Sequence, residues 1–211
     1  MISRIQYITH GNTCDDHLLN ISRVCRAGID WVQLRLKDIS DSDYISTAIE
    51  AKRICDSYKA KLIINDRADI SSIVDAHGVH IGQGDMPLKY VKKVLKEGKI
   101  IGCTANTFEE ICSISKNQVD YIGLGPFKFT TTKLNIAPVL GIDGYNRIIS
   151  NLNNFKLPII AVGGIELGDI EAIMKTGIYG VAVSSLLRVD SNLEETVIKV
   201  KKYISNAKDS R

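Results

Sequence analysis

Short apolar runs recur along the whole chain, at Arg4–Thr9, Trp31–Arg35, Leu62–Asn65, Gly78–Ile81, Ile100–Gly102, Asp120–Leu124, Ile159–Val162 and Gly180–Val183. Their length and their Val/Ile content predict eight strands. Between them lie segments with helical spacing, such as Leu18, Leu19, Ile21, Val24 and Cys25 before Gly28, or Tyr44, Ile45, Ala48, Ile49 and Ile54. Gly28, Gly98 and Gly177 stand where helices should end, and Thr107 with Glu110 and Ser191 with Glu194 read as capping boxes. Continuous apolar strands alternating with helices imply a parallel sheet covered on its outer face. Eight such units in 211 residues suit a compact (β/α)8 barrel, the TIM-barrel architecture, better than an open doubly wound sheet. The expectation is an α/β chain whose residues 1–211 form one barrel domain.

Composition agrees and narrows the function classes. The chain is 45% hydrophobic and 24% charged, within the range of a domain with a sizeable core. A net charge of +3, with no basic run longer than Lys92-Lys93 or Lys201-Lys202, argues against nucleic acid as a partner. The apolar runs are far too short to span a membrane. Five cysteines (14, 25, 55, 103 and 112) form no CxxC pair, and no secretory leader precedes the first strand. Reduced thiols in the cytoplasm are therefore expected, with Cys25 and Cys55 as core residues of helices.

In a barrel, chemistry is placed at the C-terminal strand ends. The second strand ends Gln33-Leu34-Arg35-Leu36-Lys37, where alternation sends Gln33, Arg35 and Lys37 to one side and both leucines to the other. The third ends Asn65-Asp66-Arg67, and Gly78-Val79-His80-Ile81 is followed by Gly82-Gln83-Gly84-Asp85. Asp66 could serve a turn, and Asp85, just before Met86-Pro87 and an apolar helical run, could be a helix N-cap. Together, at successive strand ends, the two carboxylates suggest a site for a hard divalent cation that also binds substrate phosphates. His80, alone in its strand, reads as a hydrogen-bonded structural residue. Thr104 could donate a hydroxyl to a phosphate, or merely serve a turn.

The sixth strand is followed by the longest connection, Gly125 to Pro138, with Thr130, Thr131, Thr132 and Lys133 in sequence. That composition suits an anion-binding lid as well as a polar loop. Gly163-Gly164 after the seventh strand and Ser184-Ser185 after the eighth fit a phosphate site at the place where barrels commonly build one. The residues alone thus imply an enzyme handling two phosphorylated groups: a metal-bridged one near Arg35, Lys37, Asp66 and Asp85, and a monophosphate near Gly164 and Ser184.

These motifs, taken in order, resemble the thiamine phosphate synthase (thiamine-phosphate pyrophosphorylase) family, from Tyr7-Ile8-Thr9 to Val183-Ser184-Ser185. The resemblance implies a transferase that joins an aminopyrimidine methyl pyrophosphate to a thiazole ethyl phosphate with Mg2+. By the same resemblance Asp66 and Asp85 hold the magnesium; Arg35, Lys37, Thr104 and Lys133 meet the pyrophosphate; Gln33 and Asn65 meet the pyrimidine; and Thr130, Thr132, Gly164, Ser184 and Ser185 hold the thiazole phosphate. Arg35, Lys37 and Lys133 would carry the catalytic charge. The chain departs from the family pattern at Leu36, often Glu, at Thr104, usually Ser, and at Ser184, often aliphatic. The related thiazole tautomerases use a His where this chain has Asn106 and have typically lost the metal and pyrophosphate residues. A non-catalytic paralogue that binds thiamine-pathway phosphates is a further alternative. A homo-oligomer is compatible with apolar residues on the outer helices.

Overall fold

A computed structural model describes residues 2–129, 138–152, 154–188 and 192–206. Eight parallel strands close on themselves in sequence order: β1 Ile5–Ile8, β2 Trp31–Leu34, β3 Lys61–Asn65, β4 Gly78–Ile81, β5 Ile100–Ala105, β6 Tyr121–Leu124, β7 Ile159–Val162 and β8 Gly180–Val183. The helices are α1 Cys14–Arg26, α2 Asp41–Ser57, α3 Ala68–Ile73, α4 Leu88–Val94, α5 Phe108–Ser115, α6 Gly141–Ser150, α7 Ile170–Lys175, α8 Ser185–Arg188 and α9 Leu193–Asn206. Pairing of Ile5 with Val181 and of Tyr7 with Val183 closes the barrel. Observed strand limits lie within a few residues of those expected, β5 being the one that runs furthest, to Ala105.

Period-two alternation divides the strands into two layers. Outward residues such as Val32, Leu34, Leu62, Ile64, Ile101, Ile122 and Val181 pack under the helices. Fully burying each such side chain contributes about 1.5–3 kcal/mol. Inward residues Trp31, Ile63, Tyr121, Ile160 and Ala182 fill the barrel with a separate apolar cluster. Leu36 is buried with the outer layer, as alternation predicts.

The helix signals hold unevenly. Gly28 and Gly177 follow α1 and α7 with φ of +90° and +101°, a conformation that favours glycine. Gly98 lies beyond the end of α4, in the turn before β5. Leu19 and Ile49, expected on apolar faces, are exposed instead, while α1 turns His17, Ile21, Val24 and Cys25 inward. Thr107 caps α5 by accepting the Glu110 N–H, but Glu110 reaches the Asn106 N–H rather than completing the box. Ser191, the other expected cap, lies outside the described residues. Cys25 and Cys55 are buried in helices as expected.

Two helix tyrosines fasten the upper rim. Tyr44 Oη of α2 lies 3.1 Å from the carbonyl oxygens of both Leu34 and Asn65, at the ends of β2 and β3. Tyr145 Oη of α6 donates to the Leu124 carbonyl at 2.9 Å. Burial raises both phenols above their usual value, so each stays a donor. Among the described residues no helix is long and apolar enough to cross a membrane.

Candidate functional site

Above the apolar filling, the inward positions become polar. Gln6, Gln33, Asn65 and His80 are buried, and Thr104 is half-buried at the mouth. Glycines make room for this layer. Gly102, paired with His80 on one side and Tyr121 on the other, leaves space for the Tyr121 ring, and Gly123, paired with Thr104, faces His80. The side chains join across the barrel: Gln33 Nε2 donates to Gln6 Oε1 at 3.0 Å and Gln6 Nε2 to Tyr121 Oη at 3.2 Å. His80 then bridges Tyr121 Oη and Thr104 Oγ1, at 3.0 Å to each. His80 is thus hydrogen-bonded on both ring nitrogens, in keeping with the structural role expected of it.

The carboxylates expected to hold a cation do meet. Asp66 stands just past β3 with φ of +62°, uncommon for a residue with a side chain, its N–H held by the His80 carbonyl at 2.7 Å. One of its carboxylate oxygens accepts from Asn65 Nδ2 at 2.7 Å and the other pairs with Lys37 Nζ. Asp85 accepts the Gly82 N–H at 2.6 Å, which folds the Gly82–Asp85 turn inward, so it is not the cap of α4; Pro87 occupies that position. Partial burial, and then a hydrogen bond shared with the Asp66 carboxyl, push Asp85 above the usual carboxylate range. Two carboxyl groups crowded in this way fit a cation that keeps waters and takes its remaining oxygens from phosphates. Among the described residues no group of three or more His, Cys, Asp or Glu side chains could hold a metal by itself.

Arg67, next to Asp66, is turned away and bound to Asp69 and Asp41 on the surface. Arg35 projects from the end of β2, its N–H donating at 3.0 Å to Thr9 Oγ1, which also bonds His17 Nδ1 at 2.7 Å. Burial holds His17 below its ordinary value.

On the opposite side of the mouth, Gly164 and Ser184 each lie two residues beyond the paired Val162 and Ala182. Gly163 and Gly164 have φ of +102° and +63°. A Cβ at Gly164 would stand 2.8 Å from the Phe129 carbonyl oxygen, so the connection after β6 makes the close approach that requires this glycine. That connection is laced to β7 by Phe127 N–H to the Val162 carbonyl and Lys128 N–H to the Gly163 carbonyl, each at 2.9 Å. Ser185 opens α8 and is exposed. Thr130, Thr132 and Lys133 lie outside the described residues.

Gln6, Thr9, His17 and Tyr121 were not among the candidates read from sequence. Gln6 did carry a usable signal: it is a polar residue between Ile5 and Tyr7, on the same inward phase as Gln33.

A closed parallel barrel with this charged mouth places the chain among the (β/α)8-barrel enzymes. More narrowly, the chain belongs to the thiamine monophosphate synthase family, which it matches over residues 5–187. It is 43% identical over 206 residues to the thiamine-phosphate synthase of Flavobacterium psychrophilum, covering 97% of this chain and 100% of that one. Identity to the thiamine-phosphate synthase of Flavobacterium johnsoniae is also 43%, over 189 residues and 89% of each chain. The solved structure of thiamine phosphate pyrophosphorylase from Pyrococcus furiosus superposes with a TM-score of 0.84 at 25% identity, covering 97% of this chain and 96% of that one. The chain is accordingly a transferase of thiamine biosynthesis.

Proposed function

We propose that the chain joins the pyrimidine pyrophosphate to the thiazole phosphate, releasing pyrophosphate and forming thiamine phosphate, with Mg2+ held by Asp66 and Asp85. The observation that carries this reading is the meeting of those two carboxyls beside Lys37. Magnesium supplies electrostatic stabilisation of the departing pyrophosphate. Lys37, Arg35 and Lys133 add fixed positive charge where negative charge develops, and Thr104 adds a hydroxyl. The C–O bond breaks with its electron pair leaving on pyrophosphate, and the thiazole nitrogen lone pair then forms the new C–N bond. No side chain need remove a proton from that nitrogen, so the role asked of the mouth is to supply positive charge rather than a general base. Gln33 and Asn65 flank the pyrimidine, while Thr130, Thr132, Gly164, Ser184 and Ser185 hold the thiazole phosphate and so fix the attack geometry.

The thiazole tautomerase reading gains nothing from Asn106, whose side-chain amide is spent on the Gly125 carbonyl. The unpaired thiols of all five cysteines suit a cytoplasmic enzyme. Incubation of the protein with both substrates, with and without Mg2+, followed by oxidation to thiochrome, tests the reaction directly. Magnesium-dependent fluorescence is expected, and its absence from folded protein would remove the proposal.

Metal binding can be tested without turnover. Because folding raises Asp85, its contribution to stability is full below the usual carboxylate range and is lost as pH rises through the raised value. Mg2+ is therefore expected to raise Tm more at neutral pH than in mild acid. Asp85→Asn should give a metal-free Tm at or above that of the parent and little response to Mg2+. A Mg2+-dependent rise undiminished in the variant, followed by dye-based melting, would take Asp85 out of the metal site.

A further inference from the structure

We propose that His80 is a positioning residue that aims the Thr104 hydroxyl at the leaving pyrophosphate, through a one-way hydrogen-bond chain running Gln33, Gln6, Tyr121, His80, Thr104. This rests on the transferase reading given above. The direction follows from counting hydrogens along the chain. Gln33 Nε2 donates to Gln6 Oε1, which leaves Gln6 Nε2 as donor to Tyr121 Oη. The phenol is fully buried, and that burial keeps it protonated. With the amide hydrogen directed at its oxygen, the phenol turns its own hydrogen to His80 Nδ1 at 3.0 Å. His80 is then the tautomer with its hydrogen on Nε2, and that N–H donates to Thr104 Oγ1 at 3.0 Å. Thr104 has its oxygen occupied from below, so its hydrogen is left for an acceptor in the mouth.

The surroundings fix each member. Tyr121 is held edge-on by Trp31 at 4.8 Å between ring centroids and lies 5.4 Å from the His80 ring. Gln83 Nε2 donates to the Thr104 carbonyl at 2.9 Å, steadying the end of β5. A chain of bonds sharing one direction polarises each successive donor, so the last hydroxyl meets the pyrophosphate as a stronger donor than an isolated threonine. His80 need not touch substrate or exchange a proton to have this effect.

The test is a double-mutant cycle of His80→Asn and Thr104→Val, with steady-state kinetics for both substrates. Asn is too short to reach Thr104. Each single variant is expected to lower kcat by about tenfold or more, with KM for the thiazole phosphate unchanged, and the double variant to be no worse than Thr104→Val alone. His80→Gln, which can place an N–H near the Nε2 position, should recover most of the His80→Asn loss. Losses that multiply, or His80→Gln as poor as His80→Asn, would overturn the relay. A readout independent of turnover is the pair of imidazole nitrogen chemical shifts of His80 in the parent protein. A pyrrole-like Nε2 and a pyridine-like Nδ1 are expected, and the reverse would overturn the proposal. An active parent enzyme with multiplicative losses would sink the relay and leave the transferase reading standing; an inactive parent with the expected tautomer would sink that reading instead.

Discussion

Asp66→Asn is expected to lower kcat/KM for thiamine phosphate formation by about 10³-fold or more, with the fold retained. One side-chain oxygen would become an amide nitrogen, which cannot bind a cation and would repel the Lys37 ammonium that now pairs with Asp66. Asparagine is the better probe than alanine. At φ of +62° a residue with a short polar side chain is tolerated, whereas the left-handed conformation costs most others roughly 1–2 kcal/mol. The substitution therefore separates chemistry from backbone strain. Rates should be measured over a range of Mg2+ alongside a circular dichroism melt. Parent-like turnover at limiting Mg2+ would mean that Asp66 is only the turn residue its local sequence also permits.

Gly102→Ala should be among the most damaging conservative changes in the barrel. A Cβ at this position would overlap the Tyr121 ring at Cζ, Cε1 and Oη. The ring has nowhere to go, being packed against Trp31 and His80 within the barrel. Overpacking of a rigid core commonly costs about 1–3 kcal/mol, and here the upper end is expected because the shift also breaks the bonds to Gln6 and His80. For a chain of this size about 3 kcal/mol corresponds to a fall of about 6–12 °C in Tm. Gly168→Ala, with nothing within 4 Å of its added Cβ, is the matched control and should melt near the parent. Equal melting of the two variants would mean that β5 yields more readily than its packing implies.

The strand pattern carried the architecture because parallel strands buried on both faces leave a simple record, an unbroken apolar run between helical periods. It also carried half of the mouth: Leu34 and Leu36 went outward as alternation requires, which put Gln33, Arg35 and Lys37 on the other phase. What it left open depended on hydrogen bonds and close contacts that the apolar pattern does not encode. Asp85 looks like a cap because Met86-Pro87 and a helix follow it, and only the turn to the Gly82 N–H reveals otherwise. Tyr121 reads as one more apolar strand residue, and its hydroxyl acquires meaning only beside Gln6 and His80, from strands β1 and β4. Gly164 was legible as part of a phosphate site, while the Phe129 carbonyl that crowds it belongs to the connection after β6.

The division of the barrel interior at Tyr121 has a practical side. Around its ring Trp31, Ile63 and Ile160 form a dry floor on which substitutions register as melting temperature; nearer the C-terminal strand ends stand Gln33, Asn65, His80 and Thr104, where they register as rate or selectivity. A library meant to alter the accepted pyrimidine should therefore vary the upper ring alone and leave the floor untouched, since the same residue type carries a different risk a single layer apart.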